Sequence, residues 1–472
     1  MTTGAVAARA PRLPGPRSLP LIGWQLEGLR MLGDPPAHFM RAFERYGPVS
    51  AWDPRKPRHV YALGPEYNQL LFTQPERFIS DAFRESNLPR DSAMERLTFG
   101  LLRLNGAAHR KHRTLMQPAF RPQRIDACRD TIIGFTQAEL DRWTVGETRP
   151  RLDQDLLRLI MRIAMQTMFG LDPAGDGVRL QYLIARLLEL ASAPTTLLLR
   201  VDLPGAPYRE MLAVAREIED ILGVLIRRKR EAEAGQLDVL SALITARDEH
   251  GQGLTDDELV GEAYNVLCHS TSAASMTWTL FLLDRHPQVL ATLQEELRTT
   301  LGGAPPTVEQ LKKLEYLDLV VKESLRLFPP ASFLMRYTSE ACQLGPYELS
   351  EGTMVFASAY VTHRLPELFP NPQRFEPERW RTATPTVHEY TPFGAGPHNC
   401  LGRHMAQLEM KLVLSMLLQR FRPTLVPGAR VDRAMRISLV PKLGLPMVLL
   451  APDHQPRVTP VRGNIHASVE LV

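Results

Sequence analysis

Between Ala263 and Leu283 the chain runs for 21 residues without an Asp, Glu, Lys or Arg. A helix of about twenty uncharged residues has two uses, as a membrane span or as the central helix of a large folded body. The side chains decide between them. Asn265, His269, Ser270, Thr271, Ser272, Ser275, Thr277 and Thr279 interrupt the run, and that many amides and hydroxyls do not suit a hydrocarbon core. No membrane span is therefore expected; a helix buried within protein is. Its ends are marked. Thr255 with Glu258 forms a capping-box pattern, Asp256 and Asp257 place negative charge in the first turn, and His286-Pro287 stops the helix.

Burying such a helix takes a large core, and the rest of the chain can supply one. At 472 residues, 44% hydrophobic and 23% charged, it has ordinary globular usage. Length alone would allow about three domains. Lys plus Arg number 56 against 52 Asp plus Glu, and the resulting +4 is too small for a dedicated nucleic-acid binder. Met1–Arg17 carries Arg9, Arg12 and Arg17 but no apolar stretch, so no signal peptide is read there. Cys128, Cys268, Cys342 and Cys400 are widely spaced and form no CxxC pair, which argues against a disulfide framework and for a reducing, cytoplasmic setting.

From Pro65 to Phe328 the texture is helical, with Leu156–Phe169, Leu180–Leu190 and Met211–Arg230 at helical spacing. A helix over Pro35–Tyr46 and a hairpin over Val49–Leu63 precede it. After Pro329 come strand-like pieces (Phe333–Thr338, Met354–Ala359), a proline-punctuated stretch Leu365–Pro397 and a last helix Leu401–Phe421. No repeat or clean linker divides the chain, so one domain over 1–472 is expected. Its ends, 1–17 and 453–472, are expected to be flexible.

Phe393–Gly402 reads FGAGPHNCLG, a cysteine just before an amphipathic helix with Met405, Leu408 and Leu412 on one stripe. The positive end of a helix dipole favours thiolate. Gly394 and Gly396 permit a loop tight enough to bring backbone N–H groups to the sulfur. These features suit a thiolate ligand to a large planar metal cofactor, although a structural cysteine beside a glycine turn shares the local pattern. Glu323 and Arg326 stand at i and i+3 on one helix and can pair; alone, such a pair is commonplace. Further along comes Phe375-Glu376-Pro377-Glu378-Arg379-Trp380.

Together, in this order, these segments resemble the cytochrome P450 family of haem-thiolate enzymes. The likeness rests on FxxGxxxCxG at Phe393, Gly396, Cys400 and Gly402, ExxR at Glu323 and Arg326, and Pro377-Glu378-Arg379. It extends from Leu13-Pro14-Gly15-Pro16 to the strand-like Leu439–Met447. The resemblance implies a mainly α fold, one large helical domain with small β-sheets, with haem b between a long distal helix and a proximal cysteine loop and helix. Cys400 would be the axial iron ligand, pushing electron density toward O–O cleavage. Phe393 and Gly402 would belong to the same cofactor-binding loop. Glu323, Arg326 and Arg379 would form a buried structural ion network. His109 and Arg113 (from HRKHR), Arg336 and His398 would meet the haem propionates. His109 stands where Trp is frequent and His398 where Arg is commoner, so the His398 bond would depend on its protonation or tautomer.

The family's distal helix usually reads Ala/Gly-Gly-x-Asp/Glu-Thr-Thr, an acid–alcohol pair that delivers protons. Anchored on Thr277-Trp278, this chain reads Leu267-Cys268-His269-Ser270-Thr271-Ser272. Thr271 keeps the alcohol, Ser270 replaces the acid and Cys268 the glycine. Thr271 and Ser270 are the expected catalytic pair, although a serine holds a water chain and cannot act as a carboxylic acid. His269 serves only if it faces the site. The pocket would draw on Phe78–Leu104, Leu187–Val201, Ala263–Thr271, Ala331–Met335 and Ile437–Val440. Its apolar lining of Leu267, Phe333, Leu334, Met335, Ile437 and Leu439 implies a hydrophobic small molecule such as a fatty acid, terpenoid, steroid or polyketide. The implied reaction inserts one atom of O2 by hydroxylation or epoxidation. The alternative prompted by Ser270 is peroxide-driven oxidation or oxidative coupling. Electrons from NAD(P)H would come through a ferredoxin reductase and a separate acidic ferredoxin, docking on Arg110, Lys111, Arg403 and His404. A cytoplasmic monomer that binds no nucleic acid completes the expectation.

Overall fold

The computed structural model describes residues 11–16, 23–81, 83–84, 88–193, 195–196, 200–231, 238–266, 270–454 and 458–471. The uncharged run lies at the centre of the largest hydrophobic cluster. It is described as two helical segments, Asp256–Asn265 and Ser270–Arg285, with the Thr255–Glu258 capping box present at the start of the first. Every residue from Ser272 to Arg285 is buried. Three of the hydroxyls that spoke against lipid are satisfied inside the helix itself. Ser275, Thr277 and Thr279 each donate to the carbonyl four residues earlier, at 2.8 Å, which removes the cost of burying them unpaired. The stretch Asp256–Arg285 is long and apolar enough to cross a membrane, and 80% of its most apolar window is buried inside the protein.

Leu152–Phe169 packs along the second distal segment and Asp176–Ser192 against Pro207–Glu231, each helix burying its leucine-rich stripe. Trp278 stacks on Phe328 with ring centroids 4.4 Å apart, and its indole N–H donates to the Leu439 carbonyl at 2.8 Å. The helix Glu315–Leu327, which carries Glu323 and Arg326, therefore lies directly beside the distal helix.

The strands form four small sheets. The largest runs Val49–Ala51, His59–Ala62, Met354–Ala357, Leu334–Thr338, Phe78–Ile79, with one parallel pair, His59–Ala62 beside Met354–Ala357. The expected hairpin over Val49–Leu63 is the first pair of this sheet. In Leu334–Thr338 the pleat separates neighbours. Phe333 and Met335 join the aromatic cluster of Phe39, Tyr61 and Phe356, while Leu334 joins the cluster containing Phe72 and Ala395 of the cysteine loop.

Both chain ends are packed where they are described. In the leader, Leu13 is buried and the Pro14 carbonyl accepts from Ala51 N–H at 2.8 Å. In the tail, Ile465 and Val469 are buried, Arg364 donates to the Ser468 carbonyl at 2.9 Å, and Glu470 N–H donates to the Gln373 carbonyl at 2.9 Å. Composition reads the tail as polar, but its two apolar anchors sit four residues apart in the main core, and Ser468 between them binds arginines from distant segments.

Candidate active site

The cysteine loop is built by its glycines. Gly394 and Gly396 have φ of +67° and +68°, and a Cβ on Gly396 would stand 2.0 Å from the Phe72 carbonyl oxygen, so only glycine fits there. The fold-back is held by Cys400 N–H donating to Phe393 O at 2.8 Å and Asn399 N–H to Gly396 O at 3.1 Å. Gly402 caps the helix Arg403–Arg420, and its backbone N–H points at the Cys400 sulfur. Phe393 is half-buried with the Arg403 guanidinium 5.5 Å over its ring.

Burial pushes the Cys400 thiol pKa up, while the Gly402 N–H, Arg113 and Arg403 pull it down. Yet its side chain is open to solvent-sized space. A thiol both desolvated and open lies at the wall of an interior hollow. A metal ion bonded to the sulfur would reverse the balance, since a coordinating thiol gives up its proton.

The four residues expected at the propionates converge. His109 and Arg113 lie on the helix Gly106–Met116, Arg336 on its strand, and His398 two residues before the cysteine. The His109 and His398 rings are 3.9 Å apart. Burial, reinforced by Arg113 and Arg336 and, at His398, by His109, pushes their pKa values down to about 4 and about 3. Both are therefore neutral imidazoles near pH 7, leaving Arg113 and Arg336 as the cations. Arg113 donates to the Asn399 carbonyl at 2.6 Å and to the Asn399 side-chain oxygen, fastening this helix to the cysteine loop. Arg336 is buried, donates to the Met335 carbonyl at 2.9 Å, and pairs with no carboxylate among the described residues. Burial pulls its pKa only to about 10, so it remains a cation in need of an anion.

Glu323, Arg326 and Arg379 form one buried network. Arg326 grips both Glu323 oxygens at 2.8 Å, Arg379 reaches one at 2.9 Å, and Trp380 donates its indole N–H to the other at 2.9 Å. Arg326 also donates to the carbonyls of His363, Pro372 and Arg374. Sequence reasoning missed the next link. His363 is fully buried, and burial pushes its pKa down to about 3. Its Nε2 accepts Thr391 N–H at 2.9 Å, which leaves Nδ1–H to donate to the Arg326 carbonyl at 3.2 Å. This neutral histidine ties the ion network to the start of the cysteine loop.

A second missed group clamps the helix of His109 and Arg113. His112 is buried, with Nδ1 2.7 Å from Glu262 and Nε2 3.2 Å from Glu258, both on the first distal segment. Burial alone would lower the His112 pKa, but the hydrogen bonds and charges of Glu262 and Glu258 outweigh it, and the pKa is raised. The clamp's stabilisation is thus fully present below about pH 6.5 and is lost as pH rises through the raised folded-state value. Urea unfolding of wild type and Glu262→Gln should show a stability gap that shrinks steadily from about pH 6 to pH 9. A gap unchanged over that range would remove the imidazolium from the account.

On the distal side Ser270 opens the second helical segment, with Thr271 next to it. Leu267, Cys268 and His269 lie outside the described residues. Of the expected pocket lining, Leu334 alone stands against the cysteine loop, 3.9 Å from the position a Cβ on Gly394 would take. Phe333 and Met335 face the aromatic cluster on the other side of the pleat. Ile437 is exposed in the turn between Arg433–Met435 and Leu439–Pro441. Leu439 is fully buried in the main core, with its backbone bonded to Pro330 and Trp278.

These residues fit an iron porphyrin. The donor set offers one thiolate for a metal, with cations and imidazoles beside it for two carboxylates. Among the described residues no cluster of three His, Cys, Asp or Glu could hold a metal ion, so a metal at Cys400 must bring its remaining ligands with it, as haem does.

Comparison with known proteins agrees. The family model for cytochrome P450 matches residues 13–447. Cyclooctat-9-en-7-ol 5-monooxygenase of Streptomyces melanosporofaciens is 33% identical over 430 residues, covering 88% of this chain and 90% of its own. Pentalenene oxygenase of Streptomyces avermitilis is 29% identical over 442 residues, 88% of this chain and 92% of its own. A retinoic acid-bound cyanobacterial CYP120A1 superposes with a TM-score of 0.82 at 26% identity, covering 94% of this chain and 100% of that one. With this match over nearly its whole length, the chain belongs to the cytochrome P450 family, whose members bind haem b, and it is a haem-thiolate monooxygenase of bacterial type.

Proposed function

We propose that this enzyme inserts one oxygen atom from O2 into a cyclic terpenoid. The observation that carries the reading is the 33% identity, over 88% of the chain, to a protein named for oxygenating cyclooctat-9-en-7-ol. The likeness to pentalenene oxygenase points to the same substrate class. Such a substrate is apolar and rigid, and shape selects it more than hydrogen bonds do. The reaction consumes one C–H substrate, O2, two electrons and two protons, and releases an alcohol and water.

In this reading Cys400 would ligate the haem iron, favoured as thiolate by the Gly402 N–H, Arg113 and Arg403. Bound haem supplies the O2 activation. Arg113 and Arg336 hold its propionates, with His109 and His398 as neutral partners on the same side. Thr271 and Ser270 hold the water chain at the distal helix. Electrons come from a small acidic ferredoxin docked over Arg110 and Arg403, which are exposed on the cysteine side. His404 and Lys111 serve that surface less, because each already faces an acid, Asp126 at 2.8 Å and Glu258 at 3.6 Å. Ser270 in the acid's place favours a second reading, in which peroxide brings its own electrons and protons.

A screen for the substrate-induced spin-state shift tests the proposal. Cyclic di- and sesquiterpenes should give the shift with micromolar dissociation constants, and linear fatty acids should not. Preference for fatty acids, or no shift from any terpenoid, would count against it.

A further inference from the structure

We propose that an arginine-lined cleft between the helices Arg129–Leu140 and Leu152–Phe169 binds the phosphoryl group of a small phosphate-bearing molecule, at a place apart from the haem site. The residues that form it take no part in the oxygenation described above.

Three elements meet there. Glu139 stands at the end of the first helix, Arg142 and Trp143 follow it, Arg149 ends the strand Thr148–Arg149, and Arg158 and Arg162 lie one turn apart on the second helix. They line a cleft of about 340 Å³, near the lower end of the range for small-molecule sites. Two of its guanidiniums are placed by aromatic faces. Arg149 lies 5.0 Å over the ring of the buried Trp143, and Arg162 lies 5.3 Å over the ring of Phe135. Arg142 and Arg158, whose side chains are 67% and 64% exposed, stand at the mouth and are free to close on a ligand.

The nearby carboxylates leave most of the donors unused. Arg149 donates to Asp155 and to Glu147, each at 2.7 Å, Arg158 donates to the other Asp155 oxygen, and Arg162 reaches Glu139 at 3.3 Å. Arg142 is 3.7 Å from Glu139, too long for a hydrogen bond. Glu139 is shared further, since it also accepts the Trp143 indole N–H at 3.3 Å. A guanidinium has more N–H donors than one such contact occupies. Four cations thus face three anions, with spare donors arriving from the turn, the strand and the second helix. A carboxylate ligand offers two oxygens and one charge. A phosphoryl group offers three strong acceptor oxygens and close to two charges, and planar guanidinium forks match it in pairs. Net positive charge at a concave surface also concentrates such anions. The second helix packs on the first and along Ser270–Arg285, so an anion held by Arg142, Arg158 and Arg162 fastens the two helices together and stabilises the fold in proportion to its occupancy.

The test uses the full-length haem-loaded enzyme, in which Arg113 and Arg336 are already engaged, at fixed ionic strength. Isothermal titration with inorganic pyrophosphate should show one site with a sub-millimolar dissociation constant, and the thermal midpoint should rise as pyrophosphate is added. Chloride at the same ionic strength should do neither. Arg142→Gln and Arg158→Gln alter exposed side chains and should leave the fold intact, yet each should weaken binding about tenfold. Arg158→Lys should keep the charge and recover only part of the affinity. Glu139→Gln should tighten binding by removing a competing carboxylate, and Arg110→Gln, on the cysteine side, should bind as wild type does. Inorganic phosphate and glycerol phosphate separate the two sources of the group. Tighter binding of the ester means that the cleft also holds the organic part, and tighter binding of the inorganic ion means that free phosphate is the ligand; either supports the site. Absence of saturable binding overturns the proposal, as does unchanged affinity in Arg142→Gln and Arg158→Gln.

Discussion

Cys400→Ser is expected to yield a folded protein whose reduced carbonyl complex lacks the strongly red-shifted Soret band of a thiolate haem, and whose turnover is at background. The fold should tolerate the change. The loop is held by the backbone of Phe393, Gly396, Asn399 and Cys400, and a serine oxygen can still accept the Gly402 N–H, so little packing or hydrogen bonding is lost. The unfolding free energy of the haem-free protein should therefore match wild type to within about 1 kcal/mol. Chemistry should not tolerate it. An alcohol holds its proton at any working pH, so the anionic donor disappears along with the electron density it lends to O–O cleavage. The cations that favour the thiolate, Arg113 and Arg403, cannot compensate. Persistence of the red-shifted band in Cys400→Ser would place the ligand elsewhere. Cys128 and Cys342 make poor substitutes, since burial pushes both thiols up and no helix N–H points at either sulfur in the way Gly402 serves Cys400.

How much of this was legible in the chain depends on whether the information is local. The cysteine loop was, because two left-handed glycines and a helix cap are written in consecutive residues. The Glu323–Arg326 pair was, because i and i+3 share a helix face. His112 with Glu262 was not. The partners are 150 residues apart, neither stands in a recognisable pattern, and only packing makes a buried histidine and a buried glutamate neighbours. His363 with Thr391 escaped for the same reason. The depth of Leu439 was not legible, because Ile437, Leu439 and Val440 are all apolar and composition cannot say which side of a three-residue strand faces the core. Its pairing with Met435 and the Trp278 indole decide that. The opening feature, the uncharged run, was read as a buried helix on its polar content. The structure adds that the hydroxyls of Ser275, Thr277 and Thr279 are satisfied within their own helix.

The second large effect is on stability. Glu323→Leu should cost about 3–5 kcal/mol, because it strands two buried guanidiniums and an indole N–H at once. That is a large fraction of the roughly 5–15 kcal/mol that holds a folded protein together, and in a chain of this length the thermal midpoint should fall by about 3–5 °C. Arg326→Leu should cost about as much by a different route. Glu323 keeps Arg379 and Trp380, but the carbonyls of His363, Pro372 and Arg374 lose their donor inside the protein. The double variant should cost clearly less than the sum, since the Arg326 guanidinium is then no longer left without Glu323 and only Arg379 and Trp380 lose that carboxylate. The loss should extend to the cofactor although no member of the network touches Cys400. The Arg326 carbonyl holds Nδ1–H of His363, whose Nε2 holds Thr391 N–H at the start of the cysteine loop. Haem content after purification should therefore fall in step with the thermal midpoint across the three variants. Full haem occupancy in a strongly destabilised Glu323→Leu protein would mean that the loop keeps its shape without the network, and that the His363 link carries no positional information.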